Sequence, residues 1–118
     1  DYEQVLREAV SQTTSVWNKF GGIIPFAIVL TTNAEIAIVG GPEQIPTDCI
    51  GIREWIQKRL QQIKASLQAV AFVQLSKANG KTFIQAELDH CNGPSLRAFY
   101  TLPVSPHWWV ETYKKIIW

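Results

Sequence analysis

The dipeptide Asn79-Gly80 constrains this chain more than any other feature of its sequence. Both residues tolerate the positive φ angles of a type I′ turn, which joins two antiparallel strands through a two-residue loop. Residues 69–75 before the turn are apolar, and residues 84–89 after it alternate between apolar and polar side chains. We therefore predict a β-hairpin whose second strand has one buried face and one face in water.

Three further segments have the composition of strands. Residues 23–30 and 35–39 are rich in β-branched and apolar side chains, and the polar stretch 31–34 between them suits a hairpin turn. Their nearly continuous apolar character predicts central strands that are covered on both faces over part of their length. Residues 96–102 form the last predicted strand, which Pro103 ends.

Three segments show the three- and four-residue spacing of amphipathic helices. The first covers residues 5–20, and two glycines follow it. The second has the cleanest apolar stripe, from Ile52 to Leu67, and Thr47 or Asp48 can cap its start. The third is a short C-terminal helix predicted over residues 107–118.

The resulting order is helix-strand-strand-helix-strand-strand-strand-helix. It predicts an α+β fold with a five-stranded, mostly antiparallel sheet flanked by helices. A chain of 118 residues, with 47% apolar and 18% charged side chains, fits one domain with its own hydrophobic core. We therefore treat residues 1–118 as a single domain.

Composition also narrows the classes of partner and compartment. The chain has 11 Lys and Arg against 10 Asp and Glu, so no nucleic-acid partner is expected. Its longest apolar stretch, residues 23–30, is too short for a membrane span, which needs about 20 residues. No signal peptide is visible, and we expect a cytoplasmic protein in which Cys49 and Cys91 are reduced thiols.

The predicted order of elements resembles that of roadblock and profilin-like domains, in which a five-stranded sheet is flanked by helices. A narrower resemblance lies in the GGIIPFAIVL stretch of residues 21–30, followed by Glu35-Ile36. It looks like a family of small uncharacterised bacterial proteins with a Gly-rich turn, Pro-Phe-Ala, a hydrophobic strand and then Gly-Glu. Ala34 stands where that pattern has glycine. The resemblance implies a fold and no activity.

Residues that could carry metal or thiol chemistry do not form a coherent set. Asp89, His90 and Cys91 are consecutive, so neighbours on a strand would point to opposite faces. With Cys49 and His107 they show neither of the usual zinc spacings. Cys49 falls in the first turn of the second helix, where a thiol pKa is lowered, but nothing else marks it as a nucleophile. We predict no catalytic residue, metal or cofactor.

Charged side chains also have ordinary structural explanations. Glu87 and Asp89 share one face of a strand, and Arg97 on the next strand can form an exposed cross-strand ion pair with them. The loop from Gly40 to Pro46 lacks the spacing and the lysine of a phosphate-binding loop. The basic side chains of the second helix predict a solvated helix face; they are Arg53, Lys58, Arg59 and Lys64.

The five tryptophans are the least ordinary feature of the composition. Tryptophan buries much area at low entropy cost and is favoured at protein interfaces. Four of the five are candidate interface residues: Trp55, Trp108, Trp109 and Trp118. The alternative is that the aromatic side chains near the C-terminus pin the terminal helix to its own domain.

We expect a non-catalytic protein–protein interaction or scaffolding domain that forms a homodimer or binds a protein partner. The surplus of tryptophan and the exposed strand edges favour this hypothesis. One alternative is a small-molecule-binding domain that uses a pocket between sheet and helix. The other is a small enzyme that uses Cys49 or Cys91 as a nucleophile.

Overall fold

The computed structural model describes residues 2–20, 25–40, 49–78, 80–100, 109–113 and 117. Their arrangement confirms the α+β class, with helices packed on an antiparallel sheet. The elements in chain order are α1 (Tyr2–Phe20), β1 (Phe26–Thr31), β2 (Ile36–Val39), α2 (Cys49–Ile63), a 3-10 turn (Lys64–Ser66), β3 (Leu67–Ala78), β4 (Lys81–His90), β5 (Ser95–Tyr100) and β6 (Trp109–Tyr113).

The strands form one sheet in the order β2-β1-β3-β4-β5-β6, and every neighbouring pair is antiparallel. The predicted hairpin at Asn79-Gly80 is confirmed, since β3 and β4 pair from Ala78 and Lys81 onward. Gly80 has the positive φ of 75° that such a tight turn requires. The turn between β1 and β2 also falls where it was predicted, with Ala34 at a φ of 62°.

The prediction of a C-terminal helix is wrong for residues 109–113, which form β6 and add a sixth strand to the sheet. β6 pairs with β5 from Trp109 opposite Phe99 to Tyr113 opposite Ser95. Aromatic and β-branched residues favour strands, and four of these five residues belong to those classes. The spacing of residues within this segment could not show that β5 lies beside it as a partner strand. Apart from Ile117, the rest of the predicted helix lies outside the described residues.

Two predicted strand boundaries also change. β3 begins at Leu67, so the last residue of the predicted helical stripe lies in a strand. β5 begins at Ser95, one residue before the predicted start, and the last two predicted residues, 101–102, lie outside the described residues. The proposed caps Thr47 and Asp48, together with Pro103, lie outside the described residues.

The two helices pack on opposite faces of the sheet, because successive strand residues point to opposite sides. Neither helix is long and apolar enough to cross a membrane. The α1-face core consists of Val5, Ala9, Phe26, Ile28, Leu30, Ala69, Ala71, Val73, Ile84, Ala86, Leu88, Ala98 and Tyr100. The α2-face core consists of Ala27, Val29, Ile52, Ile56, Leu60, Leu67, Val70, Phe72 and Ile117.

One buried hydrogen bond joins α1 to β5. The hydroxyl groups of Thr13 and Tyr100 lie 3.1 Å apart, and Thr13 Oγ1 also donates to the carbonyl oxygen of Ala9 over 2.8 Å. Burial raises the pKa of Tyr100 to about 12, and the hydrogen bond with Thr13 opposes part of that rise. The folded protein therefore stabilises the neutral phenol of Tyr100 relative to its charged form.

The Tyr100 hydroxyl should make stability fall at high pH. Because its folded pKa is about 12 and its ordinary value is 10.0, the folded state retains a proton that the unfolded chain loses. This contribution is complete below pH 10 and disappears as the pH approaches 12. We predict that the wild type loses about 2 kcal/mol more than Tyr100→Phe over this range. Urea unfolding at each pH measures the difference, and parallel stability curves would contradict the assignment.

Candidate functional site: the buried polar residues of β4

Polar side chains on β4 lie in the interior on the side of the sheet that α2 covers. Gln85, Glu87 and Asp89 are all buried, and the exposed fractions of Glu87 and Asp89 are 2% and 0%. The prediction that this face of β4 lies in water is therefore wrong. Alternation located the two faces correctly but could not show that a second layer covers the polar one. Carboxylates are rarely buried unless they are paired, so each needs a partner.

The partner of Glu87 is Arg53, which reaches it from α2. Arg53 Nη2 donates to Glu87 Oε2 over 2.6 Å, and Nη1 donates to Oε1 over 3.3 Å. Gln85 Nε2 donates to the same Oε1 over 2.8 Å. The prediction that Arg97 pairs with one of these carboxylates at an exposed site is wrong about the exposure, since both carboxylates are buried; Arg97 lies opposite Glu87 in the register of β5, and the described ion pair of Glu87 is with Arg53. Forked, charge-assisted contacts of this kind are among the stronger hydrogen bonds in proteins.

Two residues of β3 hold the Arg53 side chain in position. Arg53 Nη1 donates to Gln74 Oε1 over 3.0 Å, and the guanidinium lies 4.8 Å from the centre of the Phe72 ring. The prediction of a solvated basic helix face is therefore wrong for Arg53, although it holds for the exposed side chains of Lys58 and Arg59. In the sequence, the one indication that Arg53 differs from the other basic residues of α2 is its place next to Ile52, at the border of the apolar stripe.

Asp89 fixes a residue near the C-terminus. Its Oδ1 accepts hydrogen bonds from Ser95 Oγ over 2.7 Å and from the backbone N–H of His90 over 3.0 Å. Its Oδ2 accepts one from the backbone N–H of Ile117 over 2.8 Å. Ile117 is itself buried in the α2-face core. Sequence reasoning missed this contact because it joins positions 28 residues apart.

A narrow crevice opens beside the Arg53 side chain. It contains about 240 Å³ of space, open solvent included, and it is too narrow to admit a water-sized sphere. A ligand would therefore need one of its walls to move. We call it the α2 crevice, and the side chains that line it are Arg53, Gln57, Leu60, Val70, Phe72 and Ile117.

The sulfur and imidazole groups show no combined arrangement in the described part of the chain. Cys91 is half-buried in the turn after β4, where its backbone N–H donates to the carbonyl oxygen of Gln68 over 3.0 Å. His90 Nδ1 accepts a hydrogen bond from the backbone N–H of Asn92 over 3.0 Å. Among the described residues, no three His, Cys, Asp or Glu side chains could hold one metal ion. His107 and the Cys49 side chain lie outside the description.

One candidate interface tryptophan has a described side chain. Trp55 is 41% exposed on α2. It is two residues from Arg53, which is 200° around a helix, so these two side chains leave opposite flanks. Because Arg53 reaches across β3 to β4, Trp55 lies on the flank of α2 away from β4. Trp109 occupies the β6 position opposite Phe99, and Trp108 and Trp118 lie outside the described residues.

The chain matches no protein-family model, no curated protein and no solved structure. The resemblance to roadblock and profilin-like domains, and to the small bacterial family, therefore stays a prediction. Contacts among the described residues are the basis on which a function is inferred.

Replacing Arg53 by methionine should reveal how far the fold relies on its charge. Met keeps apolar contact with Phe72 but leaves the Glu87 carboxylate buried without its cation. We predict that Arg53→Met lowers the free energy of unfolding by about 2–4 kcal/mol. The matched control, Arg59→Met at an exposed position of the same helix, should change it by about 0.5 kcal/mol or less. Equal effects in urea unfolding would contradict the structural role of the pair.

Proposed function

We propose that this protein is a non-catalytic association domain that forms a homodimer through strand β2. The observation that carries this proposal is an apolar strand at the edge of the sheet. β2 has the sequence IAIV, and among the described residues it pairs on one side alone, with β1. Its Ala37 is exposed, and Ile38 is 51% exposed.

Apolar edge strands of this kind are uncommon in proteins that do not associate. An edge strand presents backbone N–H and C=O groups to any other strand that approaches, and natural proteins protect such edges with charged side chains, proline or bulges. β2 contains none of these, and its register with β1 is regular from Leu30–Ile36 to Ala27–Val39. The edge is therefore suited to accept another strand by antiparallel addition.

A second copy of the same strand fits this edge. If two β2 strands pair antiparallel about Ile38, Ile38 of one copy lies opposite Ile38 of the other, and Ile36 lies opposite Gly40. The two Glu35 carboxylates then attach about 20 Å apart, so like charges do not oppose each other. A Cβ placed on Gly40 would meet nothing within 4 Å, which leaves room for the opposing chain.

Trp55 can extend the contact beyond the strand. It lies on the flank of α2 away from Arg53, and Val39 of β2 packs against the same core as the apolar stripe of α2. Strand addition supplies backbone hydrogen bonds, whereas an exposed tryptophan supplies apolar area that a strand of four residues lacks. This is the role we propose for the one candidate interface tryptophan with a described side chain.

A charge on β2 should separate the copies. We predict that the wild type has twice the monomer mass by analytical ultracentrifugation and that Ile38→Glu sediments as a monomer with unchanged circular dichroism. Two carboxylates would meet at the centre of the paired strands, where like charges are destabilising. The matched control is Leu75→Glu, which places the same charge at another exposed apolar position, 39% exposed on β3. It should remain a dimer.

If the wild type is a monomer and is also isolated from its own cells without a partner, the association proposal is overturned. If the monomer is isolated with a second polypeptide at fixed stoichiometry, the association function stands, but the partner is another protein and not a second copy. A dimer that survives Ile38→Glu but not Trp55→Ala would place the interface on α2 instead of β2.

The second candidate function is ligand binding, and the buried polar side chains beside the α2 crevice favour it. Arg53, Gln57 and Phe72 combine a cation, an amide and an aromatic ring around a small space. A few polar groups set among apolar walls are typical of ligand sites. Because the space is too narrow for a water-sized sphere, this function requires that a wall of the crevice can move.

A further inference from the structure

Ile117 is the one crevice-lining residue that belongs to no helix or strand. The other five come from α2 and β3. Its side chain is 3% exposed and packs in the α2-face core with Leu60, Val70 and Phe72. Among the described residues, Ile117 is thus the side chain that fills a hole between α2 and β3.

The backbone of Ile117 is recognised as well as its side chain. Its N–H donates to Asp89 Oδ2, while Oδ1 of the same carboxylate is held by Ser95 Oγ and the N–H of His90. Since two donors from β4 and β5 orient the carboxylate, Oδ2 is placed to accept from whatever chain enters the hole. Loss of this donor would remove a hydrogen bond from a buried carboxylate, which costs free energy, so an entering chain that supplies an N–H is favoured.

These contacts define a requirement that a short peptide can meet. An extended segment offers one N–H and one side chain per residue, and here the N–H must reach Asp89 while a branched apolar side chain reaches Leu60 and Phe72. None of the described contacts in the hole requires that the occupant belongs to the same chain. The walls of the hole lie in α2, β3 and β4, and the Arg53–Glu87 pair ties α2 to β4 through contacts that do not involve Ile117.

We propose that this hole is a peptide-recognition site that Ile117 occupies in cis, and that an extended segment of a partner protein displaces it. The occupant is a peptide with an isoleucine-like side chain and a free N–H at the same residue. Its chemistry is given by the segment of this chain that fills the site. Ile117 then acts as an internal competitor that lowers the apparent affinity for the partner segment.

The test uses the full chain with Ile117→Gly, which removes the side chain that holds residue 117 in the hole, so that a peptide can displace its backbone from Asp89. The probe is the fluorescent hexapeptide YKKIIW, which has the sequence of residues 113–118. We expect saturable binding to Ile117→Gly, at least about tenfold tighter than to the wild type, in which the hole is occupied. One control peptide has glycine at the position of Ile117, and another is N-methylated there and lacks the donor for Asp89. Both controls should bind at least about tenfold more weakly.

Equal binding of the three peptides to a folded Ile117→Gly protein, or no binding of any, would overturn the proposal. If Ile117→Gly does not fold, amide hydrogen exchange in the wild type decides. We expect the Ile117 N–H to exchange through a local opening, faster than the β4 amides. Exchange of Ile117 only with global unfolding would show that the residue is a fixed part of the core, which also overturns the proposal.

The proposed peptide site and the proposed dimer interface can be tested independently of each other. β2 contributes no residue to the hole, so Ile38→Glu should leave the affinity for YKKIIW unchanged. A loss of peptide binding in Ile38→Glu would show that the site needs the dimer and would contradict its assignment to α2, β3 and β4 of one chain.

Discussion

The buried ion pair between Arg53 and Glu87 is the contact on which the arrangement of α2 depends. β4 carries Glu87 into the interior, where it is 2% exposed, and the neighbouring strand β3 contributes Gln74 and Phe72 around the arginine. A carboxylate in that position costs desolvation free energy that a guanidinium with two contacts offsets. The pair therefore specifies which flank of α2 faces β4, and with it the position of Trp55 on the other flank.

The two faces of the sheet differ in polarity. The α1 face is apolar, and its one buried hydroxyl pair, Thr13 with Tyr100, joins helix to strand. The α2 face is apolar on β1 and β3 and polar on β4, where Asp89 holds Ile117. Directional polar contacts fix the positions of α2 and Ile117 on the sheet more strictly than apolar packing alone would. The proposed dimer edge and the proposed peptide site both lie beside this second face.

Local sequence signals predicted most of the fold. The Asn79-Gly80 turn, the apolar stripe of α2 and the α+β order were visible because turn chemistry and helical spacing are properties of neighbouring residues. β6 was missed because a segment of five residues adopts the strand form through its pairing with β5. The 3-10 turn that ends α2 also moved Leu67 from the predicted helix into β3.

The candidate site was much less visible in the sequence than the fold. Alternation along β4 showed correctly that Glu87 and Asp89 share a face, but it could not show what covers that face. Their partners Arg53 and Ile117 lie 34 and 28 residues away, and only the tertiary fold brings them together. Trp55 was chosen from its residue type and its place off the stripe; its side chain is 41% exposed, and its role as an interface residue stays a prediction.

A double-mutant cycle between Arg53 and Glu87 tests the central claim most directly. Free energies of unfolding would be measured for the wild type, Arg53→Met, Glu87→Met and the double variant. We predict that the double variant is less destabilised than the sum of the single variants by about 2 kcal/mol, because each single variant leaves one charge without its partner. Additive effects, within about 0.5 kcal/mol, would show that the two side chains do not stabilise each other and would contradict the account of how α2 is positioned.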